Sequence, residues 1–534
     1  MKKHLGIFLI VILSLILRLI FINKPDGLWN DEYVSWYIAS KPFGDGFWQG
    51  VASQCHMPLY YLYLKFFMSI FGQGDLLLRL TSVLAGVLSI ISMYFVGKEK
   101  DKSVGLMCAV FTAISAFLIY YSQEVRFYSL LFLFSSLNLL FTLRIIKNPQ
   151  KLNFVFYIIS TLLILFTHTI GFVYVFFNLV VVSLVLFGKF RKLILSLWGF
   201  ILFGILICSP LVLKILTSQT ISQWWGHFSV SKIGFLFTDY FSPVITNLTN
   251  APDNFFYLPK LLFYMLVPTL IAIFGVVKAM VRNKINIYLF LLSLAVTLVL
   301  IVASLMGKLV FITKYSIEIY PILIYLACFG LKEIKITCIR NMLLVFYCII
   351  SLGYILLHPY SAPKMRRAEG HKLVMDMLKR ADLKPQDIII LQYYPKERFE
   401  KYFDFSNYKV ISMNKSNSMN FIDAGFRYDK KVYKDIFMSD NNYFSGIMDN
   451  AVLNDLKIGQ SVAMVILNSV SFLSPDDIFD IVNDDEKYEK EPIFFLVFSY
   501  LKKETFIYLT KHLPLMRVEQ KGNWTVVKFT KINI

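Results

Sequence analysis

Apolar stretches of about 18 or more residues recur along the first two thirds of the chain, and each is long enough to cross a hydrocarbon core about 30 Å thick. Of the 534 residues, 57% are hydrophobic and 17% are charged, against about 45–50% and about 25% in an ordinary soluble domain. The sequence therefore predicts a polytopic α-helical membrane protein. The predicted crossings, eleven in all, lie near residues 5–22, 76–97, 103–121, 127–146, 152–167, 170–187, 193–216, 259–281, 286–306, 313–331 and 339–357.

The basic residues are concentrated in this membrane half. Residues 1–359 contain 28 Lys and Arg against 12 Asp and Glu, whereas residues 360–534 contain 26 against 23. Such an excess is typical of the cytoplasmic loops of a multispanning protein, so the net charge of +19 predicts no nucleic-acid partner. With a cytoplasmic amino terminus, the basic loops all fall on the inner side: Lys98/Lys100/Lys102, Arg144/Lys147/Lys151, Lys189/Arg191/Lys192, Lys278/Arg282/Lys284 and Lys332/Lys335/Arg340.

The segment Pro58–Phe71 is apolar but too short to cross, and tyrosines and Lys65 interrupt it. We expect it to lie at the membrane interface, within a first outer loop at 23–75 that contains interfacial helices. Counting it as a crossing would place the basic loops outside. The first apolar run follows Lys2 and Lys3 and lacks a small-residue cleavage site, which predicts a retained signal anchor.

An odd number of crossings places the carboxy-terminal part on the outer side. We therefore predict a transmembrane domain at 1–358 and an extracytoplasmic α/β domain at 359–534. In the latter, an amphipathic segment at Arg366–Ala381 precedes strand-like segments, and Lys521–Asn523 supplies hairpin-turn chemistry. The predicted strands are Asp387–Tyr394, Tyr408–Met413, Val462–Val470, Met516–Glu519 and Trp524–Phe529.

Two adjacent acids, Asp31 and Glu32, follow the first crossing by only a few residues. Acidic residues near the bilayer are costly unless they are solvated or paired, which makes them functional candidates. An interfacial helix that begins with Asn30 or Asp31 as its cap explains them equally well. The sequence leaves both interpretations open.

Further polar side chains that could take part in chemistry lie in outer loops or at the outer ends of crossings. Simple alternatives exist for several of them: a local salt bridge between Glu124 and Arg126, a structural hydrogen-bonded His168, and a Lys314 that extends to the interface. The remaining candidates are His56, Tyr60, Tyr61, Arg79, Gln123, Tyr128 and Tyr315.

The convergence of acids, histidines and cations on one side of the membrane indicates a site for a lipid phosphate. Transfer of a sugar from such a phosphate needs a base for the acceptor hydroxyl and positive groups for the phosphate that leaves. Asp31 or Glu32 can supply the base. Arg79, Arg126 and Lys314 can supply the positive groups, and the planar guanidinium of arginine suits a phosphate particularly well.

In order and sidedness, these motifs resemble the GT-C class of membrane glycosyltransferases, in particular glycosyltransferase family 39, which includes protein O-mannosyltransferases and lipid A aminoarabinose transferases. The resemblance covers residues 28–321 and rests on Asp31-Glu32, His56-x-Pro58-Leu59-Tyr60-Tyr61, Arg79-Leu80-x-Ser82 with Gly86, Ser122-Gln123-Glu124-x-Arg126-x-Tyr128, Thr167-His168 with Gly171, and Lys314-Tyr315 before Pro321.

The resemblance implies a GT-C fold, a polyprenyl-phosphate sugar donor, an acceptor on the outer face and inversion at the anomeric carbon. Asp31 matches the catalytic aspartate of the family, Glu32 is expected to assist it, and Glu124 matches the second acidic position. Lys314 stands where many relatives have arginine. The other implied roles are phosphate binding by Arg79, Arg126, Lys314 and Tyr315, and substrate binding by His56, Tyr60, Tyr61, Gln123, Tyr128 and His168.

The identity of the sugar stays open, and the acceptor can be a glycan, a lipid or a protein. A divalent metal also stays open, because Asp31, Glu124, His56 and His168 are suitable ligands.

The alternative functions are a transporter or flippase for lipid-linked saccharides and a non-catalytic scaffold. A transporter should carry charges in the middle of several crossings, whereas Arg18 and Lys214 lie towards the ends. The predicted location is the plasma membrane, and abundant Ile, Lys, Asn and Phe are typical of a low-GC bacterium.

Overall fold

The computed structural model describes residues 5–23, 27–54, 56–217, 231–244, 259–306, 311–358, 361, 371–380, 383–385, 387–392, 399–413, 461–467, 515–521 and 524–530. Two compact units divide the chain. One comprises Met1–Asn23 with Asp31–Arg367, and the other comprises Lys24–Asn30 with Ala368–Ile534.

Among its described residues, the first unit contains helices and no β-strand. One 3-10 helix lies at Thr313–Ile319. The α-helices are α1 Leu5–Leu19, α2 Asn30–Ser40, α3 Asp45–Ser53, α4 Leu59–Phe71, α5 Asp75–Lys98, α6 Lys102–Ile114, α7 Ala116–Ser122, α8 Tyr128–Lys147, α9 Lys151–Leu165, α10 Gly171–Thr217, α11 Ser231–Phe241, α12 Pro259–Arg282, α13 Lys284–Leu305, α14 Tyr320–Lys332 and α15 Thr337–Leu357.

Seven helical stretches of the described chain are long and apolar enough to cross a membrane, and the bent pair α6 and α7 would make an eighth. They lie at Asp75–Lys98, Tyr128–Lys147, Gly171–Ile207, Leu261–Arg282, Lys284–Leu305, Thr313–Lys332 and Thr337–Leu357. The chain is therefore a multi-pass membrane protein. All the predicted apolar runs fall on helices, but α1 and α9 are shorter than a full crossing, so the count of eleven stays a prediction.

The predicted run 103–121 is not one straight helix. It breaks at Ser115, whose backbone is extended (φ −64°, ψ 115°), and the two parts are bent by 59°. The Ser115 hydroxyl accepts a hydrogen bond from the backbone N–H of Leu118 and so caps α7. The break brings the carboxyl end of α7 to the loop that carries Glu124.

The predicted runs 170–187 and 193–216 both fall on α10, which consists of two helical parts. They meet at a kink at Phe190, where the backbone leaves the helical region (φ −130°, ψ 38°). The basic cluster at residues 189–192 lies at this kink, between the two predicted runs.

Small residues allow α12 and α14 to approach closely. A Cβ atom added at Gly330 would meet the carbonyl oxygen of Gly275 and lie 2.8 Å from the backbone nitrogen of Ala279. Backbone-to-backbone packing at glycine is a common way for membrane helices to associate, since lipid and protein are equally apolar. This contact supports α14, the helix that follows the 3-10 helix containing Lys314.

The described residues of the second unit contain one helix and five strands. The elements are α16 His371–Lys379, β1 Ile388–Gln392, β2 Lys409–Met413, β3 Ser461–Leu467, β4 Leu515–Lys521 and β5 Trp524–Thr530. The strands form a mixed sheet in the order β2-β1-β3-β5-β4. Strand β1 pairs in parallel with β2 and β3, whereas β5 is antiparallel to β3 and β4. A hydrophobic cluster packs residues of β1 with Met375, Met377 and Leu378 of α16.

Each predicted strand overlaps one of these strands. The expected turn at residues 522–523 lies outside the described residues, as do 414–460 and 468–514. The α/β domain at 359–534 and its boundary therefore stay predictions.

The substitution Gly330→Ala should destabilise the helical unit, because the new methyl group would press on the backbone of α12. We expect a cost of about 1–3 kcal/mol, measured as a lower thermal unfolding midpoint in detergent. Gly353→Ala in α15 is the matched control, since a Cβ there would meet nothing within 4 Å. Equal midpoints for the two variants would contradict the close approach.

Candidate active site

The charged centre of the site is a carboxylate shared by two cations. Oδ2 of Asp31 lies 3.6 Å from a guanidinium nitrogen of Arg126 and 3.8 Å from Nζ of Lys314. Asp31 is in the first turn of α2, where the positive end of the helix dipole favours an acid. The Asp31 and Lys314 side chains are 24% and 17% exposed, whereas the other eleven predicted site residues are buried. An incoming substrate can therefore reach these two groups.

Glu32, the next residue, points elsewhere and forms a buried ion pair with Arg79 of α5. The Arg79 guanidinium donates to both carboxylate oxygens, at 2.9 and 2.7 Å, and both side chains are fully buried. Glu32 also accepts a hydrogen bond from the backbone N–H of Val125 at 3.1 Å. The pair thus joins α2, α5 and the segment after α7, and the geometry favours a supporting role for both residues.

The loop Gln123–Phe127 connects α7 to α8 and carries three of the predicted residues, Gln123, Glu124 and Arg126. The side-chain amide of Gln123 donates to the carbonyl oxygens of Arg18 and Ile20, and so fastens the loop to the end of α1. The backbone N–H of Arg126 donates to the carbonyl of Glu124 at 2.8 Å. The guanidinium of Arg126 reaches Asp31 and the Ser35 hydroxyl. Arg126 therefore pairs with Asp31, in place of the local salt bridge to Glu124 that the sequence also allowed.

Glu124 is buried beside this centre. Burial raises the pKa of its carboxyl to about 7; the negative charges of Glu32 and Asp31 act in the same direction, and the attraction of Lys314 opposes them. Glu124 is therefore a group whose charge changes near neutral pH, close to the two cations.

Histidines and aromatic rings form a buried cluster on the other side of Arg126. Nδ1 of His56 lies 2.8 Å from the Tyr61 hydroxyl, and the ring of Phe127 lies 4.6 Å from that of His56 and 4.5 Å from that of His168. Burial lowers the pKa of His168 to about 3 and that of His56 well below its ordinary value, and the charge of Arg126 adds to both effects. Both imidazoles are therefore neutral at pH 7.

The remaining predicted tyrosines surround the same groups. Nζ of Lys314 lies over the rings of Tyr128 and Tyr315, at 5.7 and 5.3 Å from their centroids. The ring of Tyr315 stacks on that of His168 at 6.0 Å, and Tyr60 packs against Tyr61 and Phe127. Cation–π contacts of this kind hold an ammonium group without neutralising its charge. Lys314 is therefore held by two aromatic rings, and the simple alternative of a lysine that only extends to the interface does not describe its contacts.

Two buried acids near the site escaped the sequence analysis. Glu318 lies in the 3-10 helix with Oε1 3.9 Å from Nδ1 of His168, and neither carboxylate oxygen has a hydrogen-bond partner among the described residues. Asp239 in α11 accepts a hydrogen bond from the Thr313 hydroxyl at 2.8 Å and so anchors the residue before Lys314. Glu318 is a single acid within the predicted apolar run 313–331, and that pattern by itself marks a functional candidate. Asp239 lies between the predicted runs 193–216 and 259–281.

The possible metal ligands do not converge. The described residues contain no group of three or more His, Cys, Asp or Glu side chains placed to hold a metal ion. His56 and His168 are neighbours, with ring centroids 5.4 Å apart, but His56 Nδ1 faces Tyr61 and His168 Nδ1 accepts from the backbone N–H of Ile170.

Comparison with known proteins gives one family-model match and several structures of similar fold. Residues 55–213 match the family model for dolichyl-phosphate-mannose-protein mannosyltransferase. The structure resembles ArnT from Cupriavidus metallidurans in the apo state, with a TM-score of 0.57 at 13% identity over 99% of this chain and 98% of that one. The predicted resemblance to the GT-C glycosyltransferases is confirmed.

A second ArnT structure from Cupriavidus metallidurans, bound to undecaprenyl phosphate, gives a TM-score of 0.50 at 13% identity, over 98% of this chain and 97% of that one. At this identity the likeness establishes the GT-C fold. None of the curated protein sequences compared with the chain matches it.

Removing one partner of the buried ion pair should strongly destabilise this GT-C fold. Arg79→Met leaves the Glu32 carboxylate buried without its cation, at an expected cost of about 3–5 kcal/mol. The measurement is the thermal unfolding midpoint in detergent. In the control, Arg144→Met removes a partner of Glu99 that is 34% exposed, which should cost at most about 1 kcal/mol. If the thermal unfolding midpoint falls no further in Arg79→Met than in the control, the ion pair between Glu32 and Arg79 does not stabilise the fold.

Proposed function

We propose that this protein is an inverting glycosyltransferase that moves a sugar from a polyprenyl-phosphate donor to an acceptor on the outer face of the membrane. The observation that carries the proposal is the contact of one accessible carboxylate, Asp31, with two cations, Arg126 and Lys314, within 4 Å. The GT-C fold and the family-model match over residues 55–213 support it, as does an ArnT structure bound to undecaprenyl phosphate.

The cations and the carboxylate have complementary tasks in this reaction. The phosphate of the donor binds to Arg126 and Lys314, and it competes with Asp31 for them. Donor binding therefore frees the carboxylate to face the acceptor. Positive groups already held in place by Ser35 and by the rings of Tyr128 and Tyr315 stabilise the charge that grows on the leaving phosphate.

The transfer is a single displacement. The acceptor hydroxyl oxygen attacks the anomeric carbon from the face opposite the phosphate, and its proton passes to the Asp31 carboxylate. The bond between the anomeric carbon and the phosphate oxygen breaks, and its electron pair stays on the phosphate oxygen. Lipid phosphate is released, and the sugar is linked to the acceptor with inverted configuration.

Apart from Glu124, the other predicted residues fall into two groups. Glu32, Arg79 and Gln123 hold the two loops that carry Asp31 and Arg126, because their polar atoms face neighbouring protein groups. The second group lines the sugar and acceptor side as neutral hydrogen-bonding or stacking groups: His56, Tyr60, Tyr61, Tyr128, His168 and Tyr315. No step requires a metal ligand set.

The proposed location is the plasma membrane of a bacterium, with the amino terminus in the cytoplasm and the site in the outer leaflet among the membrane lipids. The basic loops listed from the sequence support this orientation through the positive-inside rule. The segment 359–534 would then lie outside, next to glycan, lipid or protein acceptors.

Asp31→Asn should abolish sugar transfer while the protein still folds, because the amide keeps the size of the side chain but cannot accept the proton. Purified protein is incubated with labelled polyprenyl-phosphate sugars, and the released lipid phosphate is measured. We expect a loss of at least about a thousandfold, with the thermal unfolding midpoint unchanged within a few degrees. Full turnover by Asp31→Asn would remove this residue from the mechanism.

Movement of intact donor across the membrane of proteoliposomes, without any release of lipid phosphate, would favour the flippase alternative.

Lipid-phosphate binding should weaken as the pH rises through about 7, because Glu124 then gains a negative charge beside the phosphate and competes for Lys314. A like charge at this range costs on the order of 1–3 kcal/mol, so we expect about a tenfold or larger rise in the Kd of undecaprenyl phosphate between pH 6 and pH 8. Glu124→Gln should bind tightly at both pH values. Because the ligand's own titration affects both proteins equally, identical pH dependences would contradict this role of Glu124.

A further inference from the structure

Arg18 is a fully buried arginine near the carboxyl end of α1, and the proposed reaction does not use it. Its guanidinium makes five hydrogen bonds: to the Ser14 hydroxyl and carbonyl, to the carbonyls of Thr112 and Ala113, and to the Ser122 hydroxyl. No carboxylate is among these partners. Such an arginine is costly in a membrane helix, so its partners indicate what it stabilises.

The first partners are carbonyls freed by the break between α6 and α7. In an unbroken helix, the carbonyls of Thr112 and Ala113 would accept hydrogen bonds from residues 116 and 117. The extended backbone at Ser115 ends α6 before those bonds can form. An unsatisfied carbonyl in the hydrocarbon region costs several kcal/mol. Arg18 donates to both carbonyls at 3.2 Å and thereby stabilises the bent form.

Nε of the same guanidinium reaches the carboxyl end of α7. It donates to the hydroxyl of Ser122, the last residue of that helix, at 3.2 Å. The backbone carbonyl of Arg18 accepts from the side-chain amide of Gln123 at 3.1 Å. A single residue of α1 therefore binds the carboxyl ends of both α6 and α7, and Glu124 lies two residues beyond Ser122.

The neighbouring helix α5 packs closely against the contact between Arg18 and Ser122. A Cβ atom added at Gly86 would meet the Ser122 hydroxyl and lie 2.9 Å from Nε of Arg18. The backbone of α5 thus presses the guanidinium against α7. This packing fixes the distance between α1 and the loop Gln123–Phe127.

We propose that Arg18 is a positioning residue that sets the place of Glu124 and Arg126 by holding α7 in its bent position. The consequence for catalysis depends on the proposed glycosyltransferase function, whereas the positioning itself does not. Lysine should replace arginine only in part, because an ammonium group lacks the width to reach the Thr112 carbonyl and the Ser122 hydroxyl together.

The first measurement tests position without requiring activity. Dicyclohexylcarbodiimide reacts with protonated, buried carboxyl groups, and mass spectrometry of the peptide that contains Glu124 gives its labelling as a function of pH. The charged and titratable groups that face Glu124 are Lys314, Glu32, Asp31 and Tyr120. The compared proteins are the native chain, Arg18→Met, Arg18→Lys and the control Arg282→Met, whose guanidinium pairs with Glu333 and is half exposed.

In the native protein we expect half-maximal labelling near pH 7. In Arg18→Met, a loosened loop admits water to Glu124, so the midpoint should fall by about one pH unit towards the ordinary carboxyl value. Arg18→Lys should lie between the two, and Arg282→Met should match the native curve. A native midpoint in Arg18→Met would overturn the proposal.

The second measurement is lipid phosphate release with the labelled donor. Arg18→Met should lower kcat at least tenfold, with partial recovery in Arg18→Lys and no change in Arg282→Met. If the native protein releases no lipid phosphate with any donor, the proposed function fails while the labelling still decides the role of Arg18. Should Arg18→Met not fold, Ser122→Ala leaves the other four hydrogen bonds of the Arg18 guanidinium in place. It removes the Nε contact together with the contacts of the Ser122 hydroxyl to the Leu118 carbonyl and the Ser129 hydroxyl, and it should shift the labelling midpoint in the same direction by a smaller amount. A native-like midpoint and kcat in Ser122→Ala would then overturn the proposal.

Discussion

The ion pair between Glu32 and Arg79 is the contact on which the site depends. Both side chains are fully buried, and the pair connects α2, α5 and the backbone of Val125. Adjacent side chains on a helix point about 100° apart. Once Glu32 faces Arg79, Asp31 must therefore face a different direction, where it meets Arg126 and Lys314. Glu32 therefore fixes the geometry of the site, and Asp31 is the acid of the two that can take part in the chemistry.

A buried ion pair need not increase stability, because its desolvation cost can exceed the Coulomb attraction. Its value here is specificity: a helix that rotated or slid would leave a bare charge in the membrane. The same reasoning applies to neutral groups. The Asn178 amide oxygen accepts from Tyr157 and Thr142, which joins α8, α9 and α10 through groups that lipid cannot satisfy. Polar contacts thus fix the arrangement that apolar packing leaves free.

The site separates charge from neutral recognition. Asp31, Glu124, Arg126 and Lys314 form the charged part, and Glu124 is the member whose charge changes near pH 7. His56 and His168 are neutral, since burial lowers the pKa of each below its ordinary value. Cations held before the substrate arrives need no reorganisation when negative charge develops on a phosphate, which is the main advantage of a preorganised site.

The class of protein and several candidate residues of the site could be predicted from the amino-acid sequence. Apolar runs are a local property of the chain, so the helices could be placed, and the order of the polar motifs carried the resemblance to the GT-C glycosyltransferases. Asp31, Arg126 and Lys314 do meet in the structure. The partner that each charged group takes emerged only from the folded arrangement: Arg79 pairs with Glu32, Gln123 binds backbone carbonyls of α1, and Glu318 lies beside His168. The break at Ser115 could not be predicted either, because it is stabilised by an arginine nearly a hundred residues away in the chain. Hydropathy depends on neighbours in sequence, whereas the pairing of buried polar groups depends on neighbours in space.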